Sequence, residues 1–245
     1  MEKEKGASSD SSPLCALSPE QLQAILRYDT CTIANAIESF GVRLRNEGFT
    51  RPGLNCITSQ DQRILGYAAT FQVKSGDPPV TGGRFKDRTD WWGEMERLPI
   101  PRIAVFESLD RDDEDGSCVG DVHTAILSAF GCCGAIIDGS VRDVPGIRKQ
   151  GFPVFARSVA VSHSYVHIVS FGKPVEVLGL KVEPGDLLYA DCHGVLAIPV
   201  QIAAELPAVA ERFREQDDRI IRLCRTPDFS PEKLRLAIGE EEPAA

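Results

Sequence analysis

Two carboxylates, an arginine and a glycine carry most of the chemistry legible in this chain. Gly120-Asp121-Val122-His123 opens a segment with helical apolar spacing, and Gly139-Ser140-Val141-Arg142-Asp143 follows a short apolar run. A helix start exposes unpaired N–H groups and the positive end of a dipole, which suit a carboxylate or a phosphate. Gly120 lets backbone approach a ligand closely. Arg142 offers a planar fork for bidentate carboxylate binding. Asp121 and Asp143 are hard oxygen donors, so the set suits a divalent cation holding an anionic substrate. Each residue also has a structural reading: Asp121 as the cap of its helix, Asp143 as the cap of the turn at Val144-Pro145, Arg142 as an ion-pair partner.

These residues need elements that bring them together. Residues 103–107 (IAVFE) and 135–138 read as buried strands, and residues 121–130, with apolar Val122, Ala125, Ile126 and Ala129, read as the helix between them. Such a β-α-β unit crosses over right-handedly. Its ligand crevice lies beyond the C-terminal strand ends, where Gly120 and Arg142 would meet.

The remaining pattern frames that unit. Ser18-Pro19-Glu20-Gln21 is a capping-box helix start. A second helix is expected over Cys31 to Phe40, ended by Gly41. Residues 64–74 read as a strand, 77–89 as loop, 91–98 as a short helix and 110–120 as an acidic loop. Strand-like runs between Val154 and Val200, broken by Gly and Pro, make a β-rich half. A charged amphipathic helix follows over Ala203 to Arg225. The expected organisation is a flexible tail over 1–17, one domain over 18–236 and a second tail over 237–245.

Composition narrows the function classes. The 245 residues carry 27 Lys+Arg against 36 Asp+Glu, a formal net charge of -9. That balance argues against a general nucleic-acid binder, which needs a basic face. No apolar run approaches the roughly 18 residues of a membrane span. The charged, Ser-rich start carries no apolar stretch, so a secretory signal is not expected and the chain reads as cytoplasmic. The eight cysteines then read as reduced thiols, and without a C-x-x-C pair they do not spell a structural zinc site.

Asp121, twenty residues and then Arg142-Asp143 resemble the D-x20-R-D motif of the RraA-like superfamily. Gly134 to Asp143, Gly151-Phe152-Pro153-Val154-Phe155, Val182-Glu183-Pro184-Gly185-Asp186 and Tyr189-Ala190-Asp191 with Gly194-Val195 resemble its other ordered signatures. The resemblance spans roughly residues 18 to 220. That superfamily holds class II 4-hydroxy-4-methyl-2-oxoglutarate/4-carboxy-4-hydroxy-2-oxoadipate aldolases and regulators of ribonuclease E activity. The resemblance implies an α/β/β fold similar to a swivelling phosphohistidine domain, assembled as a homotrimer or a dimer of trimers. It implies that backbone amides of Gly120, Asp121, Val122 and His123 hold a pyruvyl carboxylate and that Arg142 contacts the substrate. Asp143 would bind Mg²⁺ or Mn²⁺ directly, and Asp121 through water. Glu215 or Asp218 would be the acid contributed by a neighbouring subunit. His123 departs from a commonly apolar position, Asn35 stands where many members carry Asp, and residues 78 to about 100 are longer than the family's segment.

The implied reaction is cleavage of a small 4-hydroxy-2-oxo acid to pyruvate, with oxaloacetate decarboxylation through the same enolate. No lysine lies in either substrate loop, so a Schiff base ranks low. The competing class is a non-enzymatic protein-binding regulator of an RNA-degrading complex. His163 and His167 read as structural or surface residues on a strand-like run, and His193 as a turn residue beside Asp191. Trp91 and Trp92 read as core or as a lid, and Cys132-Cys133 as buried small residues. The acidic run from Asp110 to Gly116 is out of register for a calcium loop.

Overall fold

The capping residues set the first two helices. The computed structural model describes residues 16–59, 61–79, 89–110 and 116–239. Helix α1 (Pro19–Ile25) starts at Ser18, whose Oγ accepts from Gln21 N at 3.3 Å while Gln21 Oε1 accepts from Ser18 N at 2.8 Å. This is the reciprocal cap expected from the sequence. Helix α2 (Thr30–Glu38) starts one residue earlier than expected, because Asp29 accepts from Thr32 N at 2.7 Å and so becomes the cap.

Among the described residues the main sheet has nine strands, and one path through it runs β1-β6-β5-β3-β2-β10-β11. Its members are β1 (Asn55–Cys56), β2 (Ile64–Lys74), β3 (Arg102–Ser108), β4 (Ser117–Val119), β5 (Cys132–Val141), β6 (Val154–Val159), β7 (His167–Phe171), β10 (Leu187–Asp191) and β11 (Gly194–Ile198). β8 (Val175–Val177) and β9 (Leu180–Val182) form a separate hairpin. β2, β3, β5 and β6 are parallel, whereas β10 and β7 run antiparallel to β2. The sheet nearly closes on itself. Phe49 bridges Leu196 of β11, and a few residues on, Asn55 pairs with Ala156 of β6.

Strand alternation sorts the core. Ala104 and Phe106 of β3 and Ala135 and Ile137 of β5 face one cluster, with Leu127 and Ile147 from the helices. The intervening Ile103, Val105 and Ile136 face the inside of the curved sheet, with Val175, Val177, Leu180 and Val182 of the β8–β9 hairpin. Leu187 and Tyr189 of β10 meet α1, α2 and α6 (Leu206–Cys224). Successive side chains point to opposite faces, so one strand serves two cores. β2 is buried over its first eight residues, because strands flank it on both edges.

Several expectations are sharpened or corrected. Strand β2 has the predicted bounds, and β6 opens the β-rich half at Val154 as expected. Helix α3 (Trp92–Glu96) forms, and Trp91 beside it is 1% exposed, a core residue. The acidic loop contains β4, and β5 runs to Val141 rather than stopping at Asp138, since β4 supplies a neighbour for its last residues. The strand-like run that holds His163 and His167 becomes a strand only from His167. A further helix, α7 (Pro231–Gly239), follows α6 and was not foreseen. No helix among the described residues is long and apolar enough to cross a membrane. Residues 111–115 of the acidic loop and 80–88 of the long segment lie outside the described residues.

Candidate active site

The site grows from the end of β5. Val119 of β4 pairs with Val141, and Arg142 N donates to Val119 O at 3.0 Å. That pairing lays Gly120 against Arg142 and Asp143. Gly120 caps α4 (Asp121–Ala129) in extended backbone, and Asp143 precedes α5 (Val144–Gln150) in left-handed backbone with φ 55°. A β-carbon at Gly120 would collide with Asp143 Oδ2 and sit 3.4 Å from Arg142 Cγ. Glycine is therefore what lets the carboxylate lie over the start of the helix.

The structural alternatives for the two aspartates do not hold. Asp143 makes no side-chain cap bond to α5. Its Oδ2 instead accepts from Arg142 Nε at 3.1 Å, with the two side chains 33% and 37% exposed for Arg142 and Asp143. Both therefore remain reachable by a ligand. The two Nη groups of Arg142 have no partner among the described residues, so the end of the fork is open. Gly120, not Asp121, occupies the cap of α4. The Asp121 carboxylate points at α5, where a β-carbon on Gly146 would come within 2.6 Å of its Oδ2. Gln150 holds this geometry: its Nε2 donates to Asp121 O at 2.9 Å, and its Oε1 accepts from the buried Thr124 hydroxyl at 2.8 Å.

Gly120 N–H is already used, donating to His123 Nδ1 at 3.2 Å. The first intrahelical bond of α4 is Thr124 N to Gly120 O, at 3.1 Å. The amides of Asp121 and Val122 thus have no acceptor one turn back, and that end of the helix suits an anion. Val122 is exposed beside them. Burial pushes the His123 imidazole down to about 4; Asp143 and Asp121 favour its charged form, while His163 and Arg142 oppose it. His123 is therefore neutral near pH 7, with Nδ1 as acceptor and the proton on Nε2.

The structure brings together Gly120, Asp121, Val122, His123, Arg142 and Asp143. Glu215 and Asp218 lie elsewhere in the chain, exposed on α6, which packs on α2 rather than on α4. His163 is exposed, as expected, and tertiary structure brings it within electrostatic reach of His123. The β6–β7 loop carries it back over β4, where Ser117 N donates to Ser162 O at 2.8 Å. Nothing local in the sequence signals that return. Gly146 did leave a signal, since a glycine inside a helical segment marks a close approach.

The arrangement fits a hard cation and a carboxylate side by side. Asp143 offers exposed carboxylate oxygen beside a cradle that any side chain at position 120 would fill. The start of α4 and the Arg142 guanidinium supply the complementary positive field.

Residues 30–197 match the family described as RraA-like, Aldolase/RraA. Protein DlpA of Legionella pneumophila is 26% identical over 82% of this chain, and the chain spans 31% of that relative's length. A Halalkalibacterium halodurans protein named as a 4-hydroxy-4-methyl-2-oxoglutarate aldolase is 27% identical over 60% of this chain and 68% of its own. The fold is similar to that of Streptomyces coelicolor RraAS2, described as an unusual member of the RNase ES inhibitor RraA protein family. That match has a TM-score of 0.64 at 21% identity, over 82% of this chain and 96% of the other.

Proposed function

The chain belongs to the RraA-like family, and on that premise we propose that it is a divalent-metal-dependent aldolase. It would cleave a 4-hydroxy-2-oxo acid to pyruvate and a second oxo acid, with oxaloacetate decarboxylation as a side activity. One observation supports this above the others: Arg142 and Asp143 converge on the side-chain-free surface of Gly120, at the start of the helix that carries Asp121.

The geometry supports a role for each residue. The amides at the start of α4 bind the substrate carboxylate and fix its orientation. The open end of Arg142 faces that anion and stabilises the charge that develops on the 2-oxo oxygen as the carbon–carbon bond breaks. Asp121, acting through a water, accepts the proton of the C4 hydroxyl. Neutral His123 shapes the pocket without adding a competing charge. Mg²⁺ or Mn²⁺, held directly by Asp143 and through water by Asp121, would supply Lewis acidity at the carboxylate and keto oxygens. In a trimer or dimer of trimers, Glu215 or Asp218 of a neighbouring copy would complete the site.

The test is pyruvate release from 4-hydroxy-4-methyl-2-oxoglutarate and from oxaloacetate, with Mg²⁺ and with EDTA. Metal-dependent release that falls by at least about a hundredfold in Asp143→Ala is expected. A folded, metal-supplied protein that releases pyruvate from neither compound would remove this reading.

A further inference from the structure

Only the beginning of α6 is anchored in the domain. Its buried residues, Leu206, Val209 and Ala210, all belong to its first turns. From Glu211 to Cys224 none of its residues is buried, and α7 buries none either. α6 packs on α1, α2 and α7, while α7 packs mainly on α6. Helices of this kind draw most of their stability from packing an apolar face, so an open face on the far half of α6 invites a partner.

One side chain marks that face. Ile221 is 45% exposed, and it is the large apolar side chain that α6 leaves in solvent. On a helix, residues four and seven positions away share a face. Before Ile221 these are Asp217 and Arg214. After it come Arg225, which caps the helix, and Asp228 in the turn that follows. All four are exposed. The stripe therefore reads plus, minus, apolar, plus, minus. Arg214 and Asp228 hold partners in their own chain, Glu211 at 3.6 Å and Lys233 at 3.7 Å. Asp217 and Arg225 have no side-chain partner among the described residues.

This order is complementary to itself when reversed. Two copies of α6 laid antiparallel about a two-fold axis at Ile221 bring Ile221 against Ile221. They also set Asp217 of each copy opposite Arg225 of the other, so the pair forms twice. A parallel arrangement would instead oppose Asp217 to Asp217 and Arg225 to Arg225. Antiparallel helices also place opposite dipole ends side by side.

We propose that the stripe from Arg214 to Asp228 is an interface with a second copy of this chain, an antiparallel helix pair centred on Ile221. Ile221 supplies the apolar centre, and the two Asp217–Arg225 pairs fix direction and register. The contact needs neither Glu215 nor Asp218, and it does not rest on the proposed activity. Whatever assembly the rest of the surface forms, this contact doubles it. A helix pair joined along one stripe is a small interface, so the doubling is reversible at micromolar concentration.

Sedimentation velocity of the full chain, over about a hundredfold concentration range through the micromolar, reads the contact. The wild type is expected to double in mass as concentration rises. Ile221→Asp places like charges on the axis and should hold the chain in the undoubled species throughout. Asp217→Arg and Arg225→Asp should each weaken the doubling by about tenfold or more. The variant carrying both charge reversals should regain it, because both pairs form again with their signs exchanged. These side chains are exposed, and circular dichroism verifies that the variants fold. A wild-type mass that never doubles, unchanged affinity in Ile221→Asp or in either single reversal, or a double reversal no tighter than the single ones would overturn the proposal.

Discussion

Asp143 shows what one residue contributes and gives up. A non-glycine residue in left-handed backbone costs roughly 1–2 kcal/mol, and Asp tolerates it better than most. Asp143→Gly removes that cost but adds freedom to the unfolded chain, worth roughly 0.5–1 kcal/mol. The variant is therefore expected to melt at the wild-type temperature or about 2–4 °C above it, while losing pyruvate release. A clear fall in melting temperature would mean that the Asp143 side chain serves the fold. His123 gives a second outcome. Its folded pKa of about 4 lies below the ordinary 6.5, so the unfolded chain takes up the proton first. The stability contributed by its neutral form is full above about pH 6.5 and is lost as pH falls toward 4. In the metal-free protein, His123→Gln should lack this acid limb, a difference on the order of 1–3 kcal/mol. Urea unfolding of both proteins across that pH range decides it, and parallel curves would refute the assignment.

At the scale of elements, the site depends on how closely α4 and α5 approach. Alanine at position 146 should favour α5 by helix propensity, since Ala exceeds Gly by roughly 1 kcal/mol in a helix interior. Here its β-carbon would meet Asp121 Oδ2 at 2.6 Å and Asp121 Cβ at 3.0 Å. Gly146→Ala is therefore expected to fold and yet to release pyruvate at least about tenfold more slowly, because Asp121 is turned aside. Steady-state kinetics on the folded variant checks this, and wild-type turnover would show that Asp121 needs no such positioning. The same logic explains why β4 matters: three residues of strand suffice to bring Gly120 against Arg142.

At the scale of the molecule, sheet closure divides the cysteines into two populations. Burial pushes the Cys132 thiol up to about 12 and the Cys133 thiol to about 11. Cys192 and Cys224 are exposed. A thiolate reagent near pH 8 should label Cys192 and Cys224 in the native, metal-free protein within minutes and leave Cys132 and Cys133 untouched until unfolding. Peptide mass spectrometry reads the result. Fast native labelling of Cys132 would mean that the β3–β5 edge opens readily. The closing segment from Phe49 to Cys56 links β11 to β6, so the two halves of the sheet share one interior and no strand of the interior stands alone.

Much of this was legible in the chain, for local reasons. The capping box at Ser18 and Gln21, the bounds of β2 and the start of β6 at Val154 follow from interactions between residues close in sequence. The residue types Asp121, Arg142 and Asp143, and their spacing around a β-α-β crossover, were also legible, because right-handed crossover makes strand ends converge. Other features needed tertiary structure. The extension of β5 to Val141 required β4 as a neighbour, and the burial that keeps His123 neutral required the packed surroundings of the site. The bond of Thr30 to Asp191 and the return of the β6–β7 loop to β4 depend on contacts between segments far apart in the chain. Such contacts leave no periodicity to read, because they form only when remote segments already share a folded core.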